Sequence, residues 1–167
     1  MNEMIYIGKT VSTFGIKGEL KVISDFEYCD RAYQVNKKIL INNIEHVISG
    51  IRYHKNYVLL KIDNLNNIND ILKYVGFNIY IKRIDLGLKG CEYLYKDLIN
   101  SEVIDDDNTK LGKIIEVLNG NNVLIKVKGS KEFLIPLIDN FMLYPPFSSC
   151  NTYYLLLRFL LTRISKP

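Results

Sequence analysis

Two short apolar runs separated by a glycine-bearing segment constrain this chain most. Met4-Ile5-Tyr6-Ile7 is apolar, and Glu19-Leu20-Lys21-Val22 alternates charged and apolar residues with a period of two. Successive side chains of a strand point to opposite faces, so the pattern predicts two strands of a half-buried sheet. The loop between them carries Gly15 and Gly18, which supply backbone angles that bulkier residues resist and so permit a tight turn. Lys9, Lys17 and Lys21 place positive charge near one aromatic side chain, Phe14, at the mouth of this hairpin. Gly8-Lys9-Thr10 has the ending of a phosphate-binding loop, but Glu3 stands where the further glycine belongs and no helix follows. The segment is a hairpin with a lysine in it.

The same pattern recurs as far as Ile81. Lys38-Ile39-Leu40-Ile41 meets a two-residue turn at Asn42-Asn43, and Ile44 to Tyr53 is predicted to pair with Tyr57 to Ile62 around His54-Lys55-Asn56. One helix interrupts the strands, with Ile68, Ile71, Leu72 and Val75 at helical spacing, Asn67 as its cap and Gly76 at its end. Asn78-Ile79-Tyr80-Ile81 is a last strand. Many short strands with one short helix predict a small closed barrel. After Asp85-Leu86-Gly87-Leu88-Lys89-Gly90 a second strand-rich unit begins: Ser101–Ile104, Leu111–Leu118, Val123–Val127 and Glu132–Pro136, with Pro136 confined to a strand end or edge. The domain reading is therefore a first barrel over 4–84, a linker over 85–91, a second barrel over 92–142 and an atypical tail over 143–167. In that tail Tyr153–Leu161 is too short to span a bilayer and is broken by Arg158. It is open as a final strand, a docked helix or a frame-altered end.

Composition narrows the setting. Cys29, Cys91 and Cys150 are far apart and form no Cys-x-x-Cys pair, which argues against a disulfide framework or zinc site and for a reducing cytoplasm. Met1-Asn2-Glu3-Met4 has no signal-peptide character. Residues 1–88 sum to +3, residues 89–141 to −2 and residues 142–167 to +3. That distribution is compatible with an RNA contact at one end and a basic protein at the other, and equally with ordinary surface charge. Catalysis finds little support. His46 on a strand and His54 in a turn have no nucleophile or carboxylate at motif spacing, and a lone strand histidine is more often structural. Asp105-Asp106-Asp107-Asn108 lacks the glycine and distal glutamate of a calcium loop and reads as a solvated turn.

Three blocks together carry a resemblance to a known family. The opening Gly8-Lys9 … Phe14-Gly15-Ile16-Lys17-Gly18-Glu19-Leu20-Lys21-Val22, the segment Glu92-Tyr93-Leu94-Tyr95-Lys96-Asp97-Leu98-Ile99, and Leu111-Gly112-Lys113-Ile114 with Leu134-Ile135-Pro136 and Asp139-x-Phe141 occur in that order. In this the chain resembles the RimM family of ribosome maturation factors over about Met4 to Phe141. It departs from the family pattern at Leu94, in place of a second tyrosine, at Asn100, in place of a glycine, and after Phe141, where the final strand is not recognisable.

The resemblance implies a mainly β chain, with an N-terminal six-stranded barrel akin to translation-factor barrels and a C-terminal PRC barrel. It implies no catalysis and no cofactor. The implied partner is the small ribosomal subunit, bound through a head protein, the nineteenth of the small-subunit series, in aid of small-subunit rRNA maturation. A monomer with no membrane association is expected. Tyr93, Leu94, Tyr95 and Asp97 would form the ribosomal-protein contact, with Asp97 holding the local turn through backbone amides. The residues themselves leave Tyr93-Leu94-Tyr95 open between core packing and an interface anchor. Lys9, Phe14, Lys17 and Lys21 are the candidates for touching RNA, against the alternative of a plain surface turn. The competing function is a general RNA-binding or enzyme-associated PRC-barrel module, which would call for a stronger basic stripe.

Overall fold

Alternation of buried and exposed residues builds the first sheet. The computed structural model describes residues 3–89, 92–105, 109–120, 122–137, 142–144 and 154–157. Strands β1 (Met4–Phe14), β2 (Glu19–Ile23), β3 (Lys38–Ile41), β4 (Ile44–His54), β5 (Tyr57–Ile62) and β6 (Asn78–Lys82) form a closed barrel in the order β1-β2-β5-β4-β3-β6. All of its pairings are antiparallel, and β6 closes it by pairing with both β1 and β3. Ile5, Ile7, Leu20, Val22, Ile39, Ile41, Ile48, Leu60, Ile62, Ile79 and Ile81 are buried at alternating positions. Closure leaves no strand edge exposed to other chains.

β1 is longer than the apolar run Met4–Ile7 predicts, because it continues through Gly8 to Phe14. Thr10, Val11 and Thr13 are β-branched and suit a strand, and two bulges, at Tyr6/Gly8 and Thr10/Ser12, absorb the break in alternation. Gly8 is needed there for close approach. A Cβ at this position would lie 2.6 Å from both the Ile23 carbonyl oxygen and the Tyr33 hydroxyl. Tyr33 follows a one-turn helix, α1 (Cys29–Ala32), and its hydroxyl donates to the Ile7 carbonyl at 2.9 Å. The sequence reading has a single helix, so α1 corrects it; four residues are too few to show a period.

The predicted helix is present as α2 (Ile68–Ile71), continued by a 3-10 turn at Leu72–Tyr74. The Asn67 side chain accepts from the Asn69 amide at 3.0 Å, the capping contact expected of it. Thr10, fully buried, fastens this segment to the barrel: its hydroxyl donates to the Tyr74 carbonyl at 2.6 Å and accepts from the Phe77 amide at 2.9 Å. The turn at Asn42-Asn43 has φ of 51° and 61°, the left-handed pair that a tight hairpin turn requires.

A second compact unit begins at Lys89. A 3-10 turn (Tyr95–Leu98) precedes β7 (Glu102–Asp105), β8 (Lys110–Leu118), β9 (Leu124–Lys128), β10 (Glu132–Pro136), β11 (Met142–Tyr144) and β12 (Tyr154–Leu157). The sheet order is β10-β9-β8-β7-β12-β11, with β12 parallel to β7. Of the three readings of the tail, Tyr154–Leu157 takes that of a strand; Tyr153 and residues 158–167 lie outside the described residues, as do Cys91, Cys150, Asp139 and Phe141. Leu98, Val103, Ile114, Ile125, Val127 and Ile135 form the core of this unit. The molecule is mainly β throughout.

Candidate functional site

Most of the residues singled out above gather in two places, one in each unit. In the barrel, the β1–β2 turn is drawn tight against the segment before α2. Gly18 has φ +70, and a Cβ on it would lie 2.4 Å from the Leu65 carbonyl oxygen. Phe14 stands opposite Glu19 across the hairpin. Lys21, Leu59 and Arg52 lie in one row across β2, β5 and β4, on the side away from Leu20, Val58 and Leu60, and Leu59 is buried like those three.

Arg52 organises this outer face. Its Nε donates to Glu19 Oε1 at 2.8 Å and its Nη2 to Oε2 at 2.6 Å, a two-pronged grip that fixes the guanidinium plane. These hydrogen bonds hold the Glu19 carboxyl below the usual carboxylate range. The same guanidinium lies 5.0 Å from the Phe14 ring centre, and the His54 ring lies 5.3 Å from Phe14. Across the two-residue turn, His54 pairs with Tyr57, whose ring carries the Lys21 ammonium at 3.8 Å. Phe14 and Lys21 are therefore parts of one aromatic and basic face, and Lys17 is exposed in the adjoining loop. Lys9 is separate: five residues back along β1, it is roughly 17 Å from Phe14 along the strand.

In the second unit, the backbone between Leu94 and Asp97 is closed on itself. The Asp97 amide donates to the Leu94 carbonyl at 2.8 Å, and the Leu94 amide donates to Asp97 Oδ2 at 2.9 Å. Asp97 does hold the turn. Leu94 is only 1% exposed, so its side chain is not part of the surface patch expected for it. Tyr93 and Tyr95, on either side of it, are half-buried, and Tyr93 also packs against the core of this unit. Asn100, two residues past the turn, has φ 70. This left-handed angle explains why glycine or asparagine suits the position.

The histidines divide. His46 is 4% exposed, with Nδ1 2.6 Å from Asp63 Oδ2 and its ring edge-on to Tyr74 at 4.6 Å, so it is structural as expected. His54 instead joins the Phe14 face. Asp105 Oδ1 accepts from the Thr109 amide at 2.8 Å, as in a polar turn, while Asp106 to Asn108 lie outside the described residues. Among the described residues no cluster of ligating side chains could hold a metal, and no helix is long and apolar enough to cross a membrane.

Comparison with known proteins shows the family of the chain. The family model of the RimM N-terminal domain matches residues 5–86, and that of the PRC-barrel domain matches residues 92–144. A ribosome maturation factor RimM of Staphylococcus haemolyticus is 38% identical over 141 residues, covering 80% of this chain and 84% of that protein. The chain belongs to the RimM family. This is a family of ribosome maturation factors and not of enzymes. A RimM of Staphylococcus aureus is likewise 38% identical over 141 residues. A crystal structure of a RimM protein from Pseudomonas aeruginosa shares 22% identity, covers 93% of this chain and 98% of its own, and aligns with a TM-score of 0.46.

Sequence reasoning missed Arg52, His54 and Tyr57 as companions of Phe14 and Lys21. The available signal was the basic and aromatic content of Arg52-Tyr53-His54-Lys55-Asn56-Tyr57 at a hairpin turn, which composition by segment would have raised.

Proposed function

We propose that this chain assists maturation of the small ribosomal subunit in the cytoplasm. It binds the subunit through a head protein, the nineteenth of the small-subunit series, and helps the head assemble and the small-subunit rRNA be processed. Tyr93 and Tyr95 make the protein contact, on a backbone held by Asp97, with Leu94 buried between them. Lys9, Phe14, Lys17 and Lys21 face RNA. The observation that carries the reading is the closed Leu94–Asp97 turn, which presents two half-buried tyrosines on a backbone that need not reorder on binding. Preorganised aromatic anchors of this kind dominate binding energy at protein interfaces.

The test is binding of the full chain to purified small subunits and to the isolated head protein. Tyr93→Ala is expected to weaken both by roughly thirtyfold, the effect of losing about 2 kcal/mol at an anchor. Tyr95→Ala should act in the same direction, and Lys96→Ala should change mainly the salt dependence. Because Tyr93 also packs on the core, Tyr93→Phe serves as the control that keeps the ring. Normal binding by both alanine variants, with unchanged melting, would overturn the interface assignment.

A further inference from the structure

We infer that the outer face around Phe14 takes unpaired RNA by stacking its bases on Phe14, His54 and Tyr57. This rests on the RNA contact proposed above and specifies the form of RNA it takes. The three rings are outside the barrel, where filling the core does not require them; the inward positions of β2 and β5 beside them are occupied by Leu20, Val22, Val58 and Leu60. They come from three strands that meet at two neighbouring turns, with Phe14 5.3 Å from His54 and His54 paired with Tyr57.

The charges fit a polyanion laid over this face. Segments 14–21 and 52–61 contain Lys17, Lys21, Arg52, Lys55 and Lys61, and Glu19 is their one acidic residue. Glu19 is consumed by Arg52, which it holds as a flat plate 5.0 Å from the Phe14 ring. A guanidinium plane stacks on bases as a ring does. The Lys21 ammonium sits on the Tyr57 face at 3.8 Å. Such a cation–ring contact between two partly exposed side chains is weak enough to be exchanged, so a base can take the ring while the ammonium moves to the adjacent phosphate. A duplex would gain little here, since paired bases hide the faces that rings stack on, and it would be left with phosphate contacts alone.

The test uses the full chain with a labelled, unstructured oligouridine of about ten nucleotides, and a paired RNA duplex of the same length, read by fluorescence anisotropy. The single strand is expected to bind more tightly. Phe14→Leu and Tyr57→Leu, which keep bulk but lose the ring, should each weaken single-strand binding about tenfold while leaving duplex binding and melting unchanged. Phe14→Trp should restore it, and carries the comparison if a leucine variant melts early. Lys17→Ala and Lys55→Ala should lower the salt dependence with either RNA. If the lysine variants lose binding but the ring variants match the parent, stacking is overturned and the RNA contact stands. If neither set changes binding, or neither RNA binds, the RNA contact itself falls and this inference with it.

Discussion

In the barrel of residues 4–82 every strand has two neighbours, whereas in the second unit β10 and β11 each have one among the described residues. The difference follows into the cores. The barrel buries Ile5, Ile7, Leu20, Leu60 and Ile81 on its inner face, while the core described in the second unit brings Leu98 of the 3-10 turn onto Val103, Ile114, Ile125, Val127 and Ile135 of the sheet. On β10, Phe133 and Leu134 are exposed, at 37% and 52%, and Pro136 ends the strand with no amide hydrogen to offer a further strand. A closed sheet can thus be stable by itself and lend its outer surface to binding. In the second unit the proposed contact is a turn rather than a sheet face.

The contrast can be broken most directly in the two cores. Leu60→Ala in the barrel and Ile125→Ala in the second unit both remove fully buried side chains and are each expected to cost about 3 kcal/mol by denaturant unfolding. Hydrogen exchange then separates the units: Leu60→Ala should strip protection from β1–β6, and Ile125→Ala from β7–β10. Equal loss in both units for either variant would show a single cooperative fold and dissolve the comparison. A smaller effect is expected at Asn100. Placing alanine at its φ of 70° should cost about 1 kcal/mol, while Asn100→Gly should melt close to the parent.

Acid sharpens the comparison further, because the Asp63–His46 contact lies in the barrel alone. Burial pushes the Asp63 carboxyl up, but hydrogen bonds from His46 and the Val47 amide, with the His46 charge, outweigh it and hold the group below its ordinary 3.8. A lowered folded-state value stabilises fully above the unfolded value, and the contribution is lost as pH falls through the folded one. The gap in melting temperature between parent and Asp63→Asn should therefore be widest above about pH 4 and close below it. A gap that grows on acidification would refute this. The smallest effect belongs to the second sheet: Glu132→Gln breaks the exposed pair with Lys126, 3.0 Å apart, and should leave melting unchanged.

What could be read from the sequence is what is local. Alternation along Lys38–Ile41, the Asn42-Asn43 turn and the Asn67 cap each depend on residues within a few positions, and each is found in place. Arg52 reaching Glu19 and Phe14 is a contact between residues more than thirty positions apart, and nothing in either segment names the other. The burial of Leu94 was hidden for another reason: three consecutive large residues have no period, so only the closed turn decides which of them points inward.

Closure of the barrel by its last strand has a consequence for how the chain is made. Met4 pairs with Lys82 and Leu40 with Tyr80, so β6 completes the ring from both sides. During synthesis from the amino end, the β1–β2 and β4–β5 hairpins can form as soon as they emerge, since their partners are neighbours. The ring cannot shut until Lys82 is clear of the machinery that makes it. Until then the edges of β1 and β3 stand open, and the exposure lasts for the time needed to translate everything between them and β6.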